Sequence, residues 1–155
     1  MIPRVLLISL LFGLPGCASS GLSQYEISAG QPTPEYWDSE TLWVFSLLDQ
    51  EGLITSVLTV RFTDLPADTC TSGDARRLEI VHEDPSAHPA SIGEAAYWLT
   101  GRTLTIDLTS NLCDAYTDLR GQLIETGFVG IQESGGMLGG TEIGAVYGVR
   151  IPKLD

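Results

Sequence analysis

The chain has 155 residues, 20 of them acidic and 8 basic, for a formal net charge of -12. A field of that sign repels nucleic acid and anionic lipid head groups, so neither a nucleic-acid binder nor a lipopolysaccharide-binding surface is expected. The length suits one domain with a real core. Arg76-Arg77 is the only adjacent basic pair, and it reads as a solvated strand start.

The chain opens with Arg4 and then an apolar run from Val5 to Phe12, broken only by Ser9. That run has the length of a signal segment and falls short of the roughly 20 apolar residues that cross a bilayer. Leu14-Pro15-Gly16-Cys17 follows. The segment resembles the lipobox of bacterial lipoproteins, in which the peptidase cuts before the cysteine, and the small Gly16 fits that pattern. The resemblance covers Met1 to Cys17 alone. It implies that residues 1–16 are a removed signal peptide and that Cys17 becomes the mature N-terminus. The cysteine would carry a diacylglycerol thioether, usually with an added N-acyl chain, and two or more chains anchor firmly. In proteobacterial lipoproteins an Asp after the cysteine favours inner-membrane retention. Here Ala18 stands there, so the implied address is the outer membrane, facing the periplasm, in a Gram-negative host. No later segment is apolar enough to span a membrane.

Residues 17–40 are rich in Ser, Gly, Gln and Pro and read as a lipidated flexible tether, with Tyr36 and Trp37 placed to dock onto the domain that follows. Residues 41–155 form that single domain. With Cys17 assigned to lipid, Cys70 and Cys113 remain for a disulfide in an oxidising compartment. Such a bridge adds about 3–4 kcal/mol on the chain-entropy model. No Cys-x-x-Cys is present, so neither a redox role nor a zinc site is expected.

The domain reads as β throughout. Thr41–Leu48 is apolar on both faces. Asp49 to Gly52 makes a turn into Leu53–Phe62, where Ile54, Leu58, Val60 and Phe62 share a face. Arg77–His82 sets Leu78, Ile80 and His82 together. Ala95–Leu99 and Arg102–Thr109 form the clearest hairpin, through Thr100-Gly101. Leu104, Ile106 and Leu108 there alternate with Thr103, Thr105, Asp107 and Thr109, giving one buried and one wet face. Leu119–Glu125 and Phe128–Glu133 pair through Gly127, and Gly144–Ile151 closes the domain. About eight strands with short turns predict a small antiparallel barrel, a closure that removes exposed edges. Strand glycines Gly121, Gly130, Gly144 and Gly148 suit its bends. The architecture is similar to calycin-type barrels, although Glu40-Thr41-Leu42-Trp43 lacks the lipocalin Gly-x-Trp. The alternative is an open two-sheet β-sandwich. One conflict stands. A strict meander puts the loops holding Cys70 and Cys113 at opposite barrel ends, whereas a disulfide needs Cα atoms within about 7 Å. Either the bridge is absent, or a strand is miscounted, or Thr63–Asp74 folds back along the barrel. The disulfide is kept, and the strict meander is the weaker assumption.

Candidate sites are few. His82-Glu83-Asp84-Pro85-Ser86-Ala87-His88 gathers both histidines with two carboxylates, but their spacing misses the helical His-Glu-x-x-His zinc pattern and prolines break any helix. Asp64, Asp68 and Asp74 lack calcium-loop spacing, and no metal is expected. Ser134–Gly140 lacks the Gly-Lys-Ser/Thr of a phosphate loop and reads as a flexible loop before the last strand, with Met137 and Leu138 able to gate a barrel mouth or touch a partner. No Gly-x-Ser-x-Gly elbow exists, and two histidines in one loop leave little material for a triad, so no catalytic residue or cofactor is assigned. The expectation is a non-catalytic interaction or structural module of the bacterial envelope, held to the membrane through Cys17, with an envelope protein as partner and no nucleic acid. The alternative is a binding protein for a small apolar ligand in the barrel lumen, among the strand aromatics Trp43, Phe45, Phe62, Tyr97, Trp98, Phe128 and Tyr147. A hydrolase is the least favoured reading.

Overall fold

The computed structural model describes residues 31–39, 41–71, 73–85 and 93–151. The signal segment, Cys17 with its lipidation, most of the tether and His88 lie outside the described residues.

Eight strands follow one another: β1 Leu42–Leu48, β2 Ile54–Pro66, β3 Arg76–Pro85, β4 Ala95–Thr100, β5 Thr103–Asp107, β6 Ala115–Ile124, β7 Gly127–Gly136 and β8 Gly139–Arg150. Each pairs antiparallel with its chain neighbours, and β1 also pairs with β8, so the sheet closes as a barrel. The all-β class and the barrel are as expected, and the open sandwich is excluded. Alternation builds it. Along β1, every second residue is buried and the residues between are half-exposed, as a strand with one face inside requires. The strands lie near their expected places. β5 stops at Asp107, short of Thr109, β6 begins at Ala115, ahead of Leu119, and three departures go further. The β2–β3 hairpin runs further, to the Pro66↔Arg76 pair. On β3 the pairing steps from Thr59↔His82 to Val60↔Ile80, so Val81 is an extra residue and His82 turns to the outer face, away from Leu78. Finally, Ser134–Gly140 is not a loop. It forms the ends of β7 and β8 and the turn between them.

Large and small residues complement each other inside. Gly121 pairs with Gly130, and a Cβ on either would stand 2.8 Å from Cζ of Phe128, so the bare pair makes room for that ring. Trp43, Phe45, Phe62, Tyr97 and Phe128 are fully buried. Their ring centroids stand 4.8 to 6.3 Å apart, mostly edge-on, the arrangement aromatic quadrupoles favour.

The segment before β1 closes one end. Trp37 lies 4.6 Å from the Phe62 ring, 5.9 Å from Trp43 and 6.1 Å from Tyr97. The Tyr36 hydroxyl donates to the Ile124 carbonyl, and Arg150 Nη1 donates 2.8 Å to the Tyr36 carbonyl while its guanidinium sits 5.4 Å over the Tyr36 ring. Tyr36 and Trp37 therefore dock as expected, and the folded unit takes in chain before residue 41.

The disulfide and the strict meander coexist. Cys70 and Cys113 are bonded with Cα atoms 5.1 Å apart, and every strand keeps its sequential neighbours. The strict meander holds, and fold-back of the loop resolves the conflict. After Ala67 N–H donates to Ala75 C=O, the loop between turns back, and Cys70 N–H donates 3.0 Å to Ser110 C=O beyond β5. The short β4 and β5, six and five residues, bring that far end within reach. On the way the loop crosses outward-facing Trp98, whose Nε1 lies 3.3 Å from where a Cβ on Gly73 would stand.

Candidate functional site

The sites read from motifs do not assemble. His82 is exposed on the outer face, and its intended companion His88 lies outside the described residues. Asp64 is paired with Arg76 and accepts from Ser39 Oγ at 2.6 Å. Among the described residues, no group of three or more His, Cys, Asp or Glu is placed to hold a metal. The glycine-rich stretch presents the β7–β8 turn, where Met137 is 85% exposed and Leu138 fully so. Gly139 there has φ +119°, a conformation that favours glycine.

The lumen is filled at the described positions. Of the seven strand aromatics, five form the inner cluster, and Trp98 and Tyr147 face outward. Among the described residues three buried side-chain atoms lack a hydrogen-bond partner, Trp43 Nε1, Ser56 Oγ and Arg102 Nε, each neutral one costing about 1–3 kcal/mol.

The charged feature that sequence reading missed lies on the outer face. Asp107 pairs directly with Asp118, Asp118 with Glu133, and Glu133 with Glu142. Four carboxylates thus stand in one row across β5, β6, β7 and β8, and like charges directly opposite are destabilising. Arg120 relieves part of this, with Nη2 2.8 Å from Asp118 Oδ2 and Nη1 3.6 Å from Glu133 Oε2. Asp107 Oδ1 accepts from Thr109 N–H at 2.8 Å and from Thr109 Oγ1 at 3.2 Å. Asp107 and Asp118 are only 7% and 8% exposed, although they point away from the lumen. Burial pushes the Asp118 carboxyl above the usual carboxylate range, with the charge of Asp107 adding to it and the Arg120 hydrogen bond opposing. The row borders a cleft of about 390 Å³ lined by Thr71, Trp98, Thr105, Asp107, Tyr116, Asp118 and Arg120. Thr71 belongs to the disulfide-tied loop. Tyr116 lies against bare backbone, since its hydroxyl is 2.7 Å from where a Cβ on Gly135 would stand.

A second cleft, of about 400 Å³, opens at the closed end beside Trp37, Arg76, Tyr97 and Leu99. Two of its polar groups are already engaged. Arg76 pairs with Asp64, and the Tyr97 hydroxyl donates 2.9 Å to the Thr63 carbonyl. Alternation alone had placed Asp107 on the wet face. Alternation carries no sign that Asp107 and Asp118 are nearly buried on that face, nor that Thr71 of the disulfide-tied loop lines the cleft beside them. No family model, no curated protein and no solved structure matches this chain.

Proposed function

We propose that this chain is a bacterial envelope lipoprotein, anchored through Cys17, whose barrel acts as a non-catalytic interaction module on the periplasmic side of the outer membrane. The observation that carries this reading is the filled lumen. Aromatic rings occupy the space an apolar ligand would need, so the surfaces left for recognition are outside. Those surfaces include the apolar Met137–Leu138 turn and the acidic row. What supports anchoring is the lipobox resemblance of Leu14-Pro15-Gly16-Cys17. The docked Tyr36–Trp37 segment supports it too, since it starts the tether at one barrel end.

Two experiments test this. Cross-linking in intact cells, followed by capture of the full chain, should recover a discrete envelope protein. Recovery of none would argue against an interaction role. Cys17→Ser should release the protein from membranes with the barrel still folded, and a variant that stays with membranes would defeat the anchor.

A further inference from the structure

We infer that the outer wall formed by β7, β8, β1 and β2 is an interface between two copies of this chain. β1 is apolar on both faces, and a strand of that kind is ordinarily covered on both. The lumen covers one. On the other face of this wall Val44, Val129, Ile131, Ala145, Tyr147 and Val149 point outward. Register makes them one patch. Val129 stands opposite Tyr147 and Ile131 opposite Ala145, while Tyr147 and Val149 stand opposite Ser46 and Val44. Tyr147 is 49% and Val149 54% exposed, and the other four are half-buried. The rim is polar, as at protein interfaces. Arg61, opposite Leu42, holds Glu79 at 2.9 Å, and Arg120 stands opposite Ile131.

Charge selects the occupant. The chain carries a net charge of -12, so two copies repel each other across most of their surface. No Asp, Glu, Lys or Arg stands in Leu42–Leu48 or in residues 54–60, 128–132 and 143–149, the stretches that build this wall. A second copy brings the same uncharged, apolar surface, and an isologous contact across a two-fold axis leaves no charge unpaired. A charged partner would bury its own charges there without a counter-charge. Bilayer hydrocarbon fits less well, since a barrel in lipid needs an apolar band on every wall, and the opposite wall carries Asp107, Asp118 and Arg120.

Size sets the strength. Four strands about 4.8 Å apart, each giving about six residues at about 3.4 Å, make a patch of about 400 Å², the scale of patches that mark interaction sites. Two such patches bury about 800 Å², less than the roughly 1,200–2,000 Å² of a stable complex, so the pair is weak and separates in dilute solution. A two-fold axis along the strands sends both N-terminal segments out at the same end. Both copies then face one membrane, which raises their local concentration. That orientation rests on the anchor proposed above, whereas the pairing itself does not.

The test is a position-specific photo-cross-link in cells making the full chain. p-Benzoylphenylalanine is placed at position 147, or in place of Thr105 on the opposite wall, and products are sized after denaturation. A product of twice the mass of one chain is expected from position 147 and none from position 105. Val149→Glu should lower that yield about tenfold or more, because pairing would bury an uncompensated charge. Val149→Lys should lower it as much, although it reduces the net negative charge. Both substitutions leave the lumen untouched, and retention of the Cys70–Cys113 bond on non-reducing gels checks that each variant folds. A cross-link from position 147 to a different protein, one to lipid alone, or none at all overturns the pairing. So does a doubled chain formed equally from position 105, or an undiminished yield in both Val149 variants. A doubled chain found away from membranes upholds the pairing and defeats the anchor. Failure of the pairing leaves the envelope interaction reading to its own cross-linking test.

Discussion

At Asp107 and Asp118 the outer face of β5 and β6 is almost as dry as the inner one and chemically opposite to it. Inside, Leu104, Ile106 and Leu119 are buried against other apolar side chains. Outside, Asp107 and Asp118 on the same strands are buried almost as deeply with one guanidinium between them and the acids beyond. Burial stabilises the first face and strains the second, because a desolvated carboxylate gains nothing from the hydrophobic effect. Folding explains the inner face and leaves the acids of the outer one without an apolar partner.

The inner face should break hardest. Phe45→Ala empties the middle of the aromatic cluster and should cost about 3–5 kcal/mol, read as a lower midpoint of chemical unfolding. A loss under about 1 kcal/mol would mean the lumen is loosely filled.

The disulfide comes next. Replacing Cys70 and Cys113 together with Ser should cost about 3–4 kcal/mol while the far-ultraviolet circular dichroism of the barrel persists. The loop lid over Trp98 should loosen, seen as a shifted Trp98 resonance. An unchanged resonance would mean that packing alone holds the lid.

A gain is expected at Ser56. Its hydroxyl is buried without a partner, so Ser56→Ala should stabilise the barrel by about 1 kcal/mol. A loss would reveal a partner for that hydroxyl.

The outer face should respond to pH. The folded state raises the Asp118 pKa, so it holds that proton more tightly than the unfolded chain. The contribution of Asp118 to stability therefore rises as pH falls through the folded value and levels off below the unfolded one. Unfolding midpoints recorded between neutral and acid pH should show this rise in the native chain and a clearly smaller one in Asp118→Asn. Identical pH profiles for the native chain and Asp118→Asn would contradict it.

The smallest effect belongs to the turn. Met137→Ser with Leu138→Ser touches two exposed side chains and should move stability by under about 0.5 kcal/mol. Cross-linking yield to an envelope partner should fall with it if the turn is part of the interaction surface.

Much of this fold was legible in the chain. Leu104, Ile106 and Leu108 alternate with polar residues over a tight Thr100-Gly101 turn, and the hairpin stands where that pattern put it. Three things were hidden. The extra residue Val81 reverses the strand's facing after Ile80, and no local pattern marks it. Trp37 was expected to dock, but its packing against the Phe62, Trp43 and Tyr97 rings is not legible in a stretch whose Pro and Ser content reads as linker. The placing of the disulfide-tied loop beside Trp98, where Thr71 shares a cleft with Asp107 and Asp118, is a long-range event that periodicity does not encode.

The central claim is that the lumen is occupied by the protein's own side chains and that recognition lies outside. The most direct measurement is the mass of the full chain, released gently from membranes, under native and then denaturing conditions. Equal masses are expected. An apolar molecule lost only on denaturation would place a ligand in the barrel and contradict the account.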